Sequence, residues 1–206
     1  MSTIKLYYYP GACSLAPHIL LHETKLPFTL SKEVAGLTPE LRAKNPKAKI
    51  PVLTIDDTVI TENIAIQTAI GNLAPSLALL GAPGTLESVR VYEWLSWLST
   101  SLHAAAFGSL FRPGRFTTSE DEGVLEGIRD KARESIMGTF DLVEGKLTGV
   151  HAVGERFTAV DAYLFVFYRW GARSWDMKAL WPKYAALAAG VGARESVVKA
   201  LEAEEA

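Results

Sequence analysis

The sequence predicts an α/β unit followed by an all-α unit. Three features lead there. Residues 1–79 carry four short β-like runs with helical stretches between and after them. Residues 80–86, opening Leu80-Gly81-Ala82-Pro83-Gly84-Thr85, are rich in Pro and Gly and read as a linker. Residues 87–206 show only helical periodicity.

The elements follow in the order β-α-β-α-β-β-α. Ile4–Tyr9 reads as a strand, Pro10-Gly11 as a turn and Ser14–Thr24 as a helix. Phe28–Glu33 is the second strand. The helix between the two strands predicts that they are parallel. Pro39–Lys44 is a short helix. Pro51–Ile55 and Thr58–Ile60 are strands joined by the tight turn Asp56-Asp57, and Glu62–Asn72 is a helix. Beyond the linker, Val91, Trp94, Leu95, Leu98 and Leu102 recur at helical spacing. So do Leu125, Ile128, Ala132, Ile136, Phe140, Val143 and Leu147, after an acidic start at Glu120-Asp121-Glu122. Thr158 and Asp161 form a capping-box signal ahead of a helix over Ala159–Trp175 that is apolar on most sides and therefore central. Asp161 is read as structural on that ground.

The 206 residues are 49% hydrophobic and 21% charged, with net charge −2 and no Lys/Arg run, so no nucleic-acid surface is expected. The N-terminus lacks the apolar region of a signal peptide, and no apolar run reaches the ~20 residues of a membrane helix. No metal-ligand cluster or phosphate-cradling Gly loop is apparent. A single cysteine excludes an internal disulfide and points to a reducing, cytoplasmic setting.

That cysteine, Cys13, stands where the first strand turns into the first helix. Free backbone N–H groups and the helix dipole favour thiolate there, which predicts a lowered pKa and a reactive sulfur. The competing reading is a small buried hydrophobe.

Five segments carry a family resemblance. They are Tyr7-Tyr8-Tyr9-Pro10-Gly11-Ala12-Cys13-Ser14-Leu15-Ala16-Pro17-His18-Ile19, Asn45-Pro46-Lys47-Ala48-Lys49-Ile50-Pro51-Val52-Leu53, Thr61-Glu62-Asn63-Ile64-Ala65-Ile66, Glu93-Trp94-Leu95-Ser96 through Leu102-His103, and Gly154-Glu155-Arg156-Phe157-Thr158-Ala159-Val160-Asp161-Ala162-Tyr163. In this order they resemble the soluble glutathione transferases, and the first looks like the opening of the cysteine-type bacterial beta class. The resemblance covers essentially the whole chain. It implies a thioredoxin-like N-terminal domain, a helical C-terminal domain and a homodimer. The implied activity is detoxifying: glutathione is the co-substrate, its thiolate is stabilised, and it is conjugated to small hydrophobic electrophiles.

The same resemblance implies a site. Cys13 ranks first as the thiolate-stabilising group, Ser14 second and Tyr8 third, and His103 is a further catalytic candidate facing the sulfur. Ile50-Pro51 is a candidate cis peptide whose residue 50 pairs with the cysteinyl part of glutathione; a trans proline opening a strand is the alternative. Glu62 and Asn63, at a helix N-terminus, would take the glutamyl ammonium and carboxylate. Thr100, reckoned to share a helix face with His103 and Ser96, would reach glutathione across a dimer interface. The lysine for the glycine carboxylate has no clear match, and Thr38, Lys44, Lys49 and Lys32 are the available stand-ins, because the Glu33–Asn45 stretch is short. Ala12, Phe107, Phe111, Phe167 and Trp170 are the expected lining of the electrophile pocket. His18, His22 and His151 are read as structural. Cys13-dependent thiol–disulfide exchange with glutathione, and a non-catalytic ligand-binding protein on this fold, are the alternative functions.

Overall fold

The computed structural model describes residues 2–33 and 38–205. A four-stranded mixed sheet has the order β2-β1-β3-β4. β1 (Ile4–Tyr8) pairs in parallel with β2 (Thr29–Lys32) and antiparallel with β3 (Val52–Ile55), which forms a hairpin with β4 (Thr58–Thr61). Side chains alternate across a strand. Ile4, Leu6 and Tyr8 therefore enter the main core beside α1 (Leu15–Thr24) and α3 (Asn63–Leu73). Tyr7 and Val52 face the other way, onto Leu41 of α2 (Pro39–Lys44). β3 starts one residue later than expected, at Val52, because Pro51 has no N–H to give to the ladder. Asp56 turns the hairpin at φ 51°, a conformation that Asp tolerates better than most residues.

The expected linker is anchored at its start. Leu79 and Leu80 are buried, and the Leu79 carbonyl accepts from Ala159 N at 2.8 Å. Helix α4 (Leu86–Trp97) runs directly into a π-helical segment, Leu98–Phe107, and then into α5 (Gly108–Phe111). α6 (Glu122–Lys146) follows, capped by Asp121, which accepts from Val124 N at 3.0 Å. α7 (Ala159–Gly171), α8 (Met177–Leu180), α9 (Pro182–Gly192) and α10 (Glu195–Glu205) complete the helical domain. α7 is central, packing against α1, α4 and α9, and it is buried along most of its length. It ends at Gly171, four residues before the expected Trp175. Gly171 presses so closely on Phe140 that a Cβ would lie 2.7 Å from the ring, and Ser174 N and Trp175 N both turn back to the Gly171 carbonyl.

The capping box at the start of α7 is complete. Asp161, fully buried, accepts from Thr158 N at 2.7 Å and from Ala152 N at 2.8 Å. Removing that carboxylate strands two backbone donors in the interior. Asp161→Ala should therefore lose roughly 2–4 kcal/mol of stability. Urea unfolding measures this directly, and a loss below about 1 kcal/mol would contradict the structural role given to Asp161.

Candidate functional site

The cysteine turn is held from three directions. After β1 the chain turns at Gly11, whose φ of +73° suits glycine. The Gly11 carbonyl accepts from the Trp170 indole N–H at 2.8 Å, and the Gly11 N–H donates to Glu204 Oε2 at 2.8 Å. Ser14, expected as the second thiolate-stabilising group, is fully buried instead. Its hydroxyl exchanges bonds with the N–H and carbonyl of Tyr9, each at 3.2 Å, which fastens the turn. Tyr8 is also committed elsewhere, donating to the Ala203 carbonyl at 3.1 Å.

Cys13 lies just before α1 and is 7% exposed. Its Sγ is 3.8 Å from the Ile50 carbonyl oxygen, and the Ile50–Pro51 peptide is cis. The expectation of a lowered pKa is reversed. Burial pushes the thiol up to about 11, and the opposing effects of Asn63, the local backbone and Arg112 are smaller. The reason is that desolvation penalises the charged form more than partial charges at a helix end reward it.

Glu62 precedes α3 at φ 73°, a region that costs a side-chain-bearing residue energy and clusters at functional sites. Its carboxylate pairs with the Lys47 ammonium, which also donates to Thr61 Oγ1 at 2.9 Å. The bond from Lys47 to the carboxylate is the main reason Glu62 titrates below the ordinary range. No side chain caps α3, so its first N–H groups are open to an anion. The Asn63 side chain, expected to donate to that anion, is buried and turned inward. Its Nδ2 donates to the Cys13 carbonyl at 2.9 Å, and its Oδ1 accepts from Gln67 at 2.6 Å. Lys49 is exposed, and its charge acts on both Glu62 and His103.

His103 sits in the π-helical segment, and the Gly108 N–H reaches back to its carbonyl. Its Nδ1 is 2.8 Å from the Tyr163 hydroxyl. Burial drives its pKa down to about 4, so the imidazole is neutral at pH 7. Thr100 does not share its face. It is exposed, hydrogen-bonded to the Ser96 carbonyl at 2.9 Å, and lines a groove toward α6 with Ala105, Ser109 and Ser135. The i,i+5 bonding of a π-helix widens each turn and carries residues three apart away from a common stripe. Tyr163, the partner of His103, read in the sequence as plain core. Only its hydroxyl signalled that a buried partner was needed.

The aromatic candidates form one cluster. Phe107 and Phe167 stack with centroids 5.9 Å apart, Phe107 lies 5.1 Å from Trp170, and Trp170 lies 5.3 Å from Phe111. Phe107 and Phe167 are almost completely buried, so they back the site rather than line it; apolar rings at helical spacing have packed on one another. Phe111, about half exposed, and Ala12, partly exposed, present surface beside the cysteine turn. The remaining histidines lie apart. His18 is fully buried beside His22, and His151 lies 3.5 Å from Asp161. Among the described residues, no three His, Cys, Asp or Glu side chains group to hold a metal.

Comparison with known proteins agrees with this fold. The family model "Glutathione S-transferase, N-terminal domain" matches residues 11–72. The chain is 35% identical over 174 residues to the glutathione S-transferase GstA of Escherichia coli O157:H7, spanning 81% of this chain and 82% of the relative. A sphingomonad glutathione S-transferase solved with glutathione superposes with a TM-score of 0.86 at 35% identity, covering 98% of each chain. A beta-class glutathione S-transferase of Sphingomonas chungbukensis gives 0.83 at 36% identity, covering 97% of this chain and 98% of that one.

Two desolvated histidines, the fully buried His18 and the partly buried His103, make stability pH-dependent. His18 and His103 are each held near a pKa of about 4 when folded, against 6.5 for an ordinary imidazole. The unfolded chain thus takes up protons that the folded chain refuses as pH falls through 6.5. Their contribution is complete above about pH 6.5 and declines until about pH 4. Each should lose about 2 kcal/mol between pH 7 and 5. Denaturant unfolding of wild type and His18→Phe checks this: the variant should show the shallower decline, and an identical slope would be inconsistent with a neutral buried His18.

Proposed function

The chain belongs to the soluble glutathione transferase family and is a glutathione transferase, and on that premise we propose that it conjugates glutathione to hydrophobic electrophiles at Cys13. The observation that carries this assignment of the site is the convergence of Cys13 Sγ on the Ile50 carbonyl, beside the uncapped start of α3 and the neutral His103.

Each part of glutathione has a counterpart. The glutamyl carboxylate meets the open N–H groups of α3, and the ammonium meets Glu62. The cysteinyl segment pairs with the Ile50 backbone as an added strand would. Lys49, exposed and electrostatically linked to Glu62 and His103, serves the glycine carboxylate. Thr100, turned away from this cluster in its own chain, would act only across a homodimer interface. The chain works in the cytoplasm, in detoxification.

The raised pKa of Cys13 defines its part. A neutral thiol donates its S–H to the glutathione sulfur and so favours that sulfur as the thiolate. The glutathione proton leaves to solvent. The thiolate then attacks the electrophilic carbon, an S–C bond forms, and the leaving group departs with its electron pair. His103, fixed by Tyr163, has one ring nitrogen left for a single hydrogen bond in the site. Thiol–disulfide exchange would need Cys13 itself as thiolate, which burial opposes, so conjugation is the favoured reading.

Cys13→Ala removes one charge-assisted hydrogen bond and should lower kcat/KM with chlorodinitrobenzene by about 10–100-fold. Unchanged kinetics would remove Cys13 from the mechanism. Intact mass after exposure to oxidised glutathione tests the alternative, since a fast stoichiometric adduct on wild type alone would favour exchange. Glu62 is largely exposed, so Glu62→Ala should weaken glutathione binding only about fivefold by calorimetry. No loss of affinity would place the ammonium elsewhere.

A further inference from the structure

Two arginines lie close to the cysteine turn. Arg112 ends α5 directly after Phe111, whose ring packs on Trp170 at 5.3 Å, and Trp170 in turn holds the Gly11 carbonyl at 2.8 Å. Arg173 lies beyond the end of α7, and its Nη2 is 3.4 Å from where a Cβ on Gly11 would stand. Both are exposed, and neither side chain has a hydrogen-bond or ion-pair partner among the described residues. Most arginines elsewhere in the helical domain are paired: Arg90 with Glu93, Arg129 with Glu122 and Glu126, Arg133 with Glu126 and Asp130, and Arg194 with Glu23. The charge of Arg112 is also felt at Cys13.

Phe111, next to Arg112 in the chain, is half exposed, and Ala12, next to Gly11, is partly exposed. The neighbourhood of the turn therefore offers an aromatic ring to stack on and two planar cationic forks, the groups that pair with carboxylates. With Glu62, the α3 N-terminus and Lys49 assigned to glutathione, this second set of donors is left for the other substrate.

We propose that the electrophile is an aromatic compound bearing a carboxylate, stacked on Phe111 with its carboxylate against Arg112 and Arg173. This rests on the glutathione transferase reading of the Cys13 site and names the substrate class for it. In the reaction with a chloronitrobenzoate, the glutathione sulfur bonds to the carbon that carries chlorine, chloride leaves with the bonding pair, and the thiol proton goes to solvent.

The test uses the two reaction products, so that it does not depend on turnover. Affinities of S-(carboxynitrophenyl)glutathione and S-(dinitrophenyl)glutathione are measured by calorimetry for wild type, Arg112→Gln, Arg173→Gln and the double variant. Wild type should prefer the carboxylated conjugate by about fivefold, the sum of two exposed ion pairs, and the preference should vanish in the double variant and fall with added salt. Equal affinities in wild type, or a preference that survives in the double variant, would overturn the proposal. Initial rates with chloronitrobenzoate and chlorodinitrobenzene keep the two readings apart. Turnover of the neutral compound with equal conjugate affinities defeats only the carboxylate site. Failure to turn over either, with the conjugate preference intact, defeats only the catalytic reading.

Discussion

The site depends on the Gly11 peptide being gripped at both ends. Its carbonyl is tied to Trp170 in α7 and its N–H to Glu204 in α10, so two helices of the C-terminal domain set the shape of a turn in the N-terminal one. The grip extends along α7. Tyr163, Phe167 and Trp170 follow the i, i+4, i+7 stripe of one helix face, and that stripe holds His103, the aromatic cluster and Gly11 in turn. Asp161, at the first turn of the same helix, sets where the stripe begins. A capping interaction in the interior thus starts the helix that reaches both His103 and the cysteine turn.

The electrostatics follow from this burial. Cys13 and His103 are both kept neutral, one with its proton and one without. Lys49, the two arginines, and Glu62 with its partner Lys47 are exposed. On the proposed reading, the glutathione thiolate meets the Cys13 S–H, a donor suited to stabilising it.

The fold was legible because its signals are local. The parallel β1–β2 pair, the Asp56 hairpin and the Thr158–Asp161 capping box each reside in a few consecutive residues whose backbone preferences decide the outcome. Cys13 and Ile50-Pro51 also stood out through local sequence. What escaped depends on how side chains turn in the assembled interior, whether the partner is near or far in the chain. Nothing near Ser14 announced that its hydroxyl would bind Tyr9 rather than face a cleft, and nothing near Asn63 foretold its bonds to Cys13 and Gln67. The pKa of Cys13 was misjudged because burial is a property of the assembled interior. The π-helical turn that separates Thr100 from His103 has no residue signature at all.

The bond between Gly11 and Glu204 joins residues 193 apart in sequence. During synthesis the sheet can form as soon as its own residues emerge, but the cysteine turn stays without this anchor until α10 has been made and docked. The turn that carries Cys13 is thus among the first segments to be made and, without this anchor, among the later ones to be fixed.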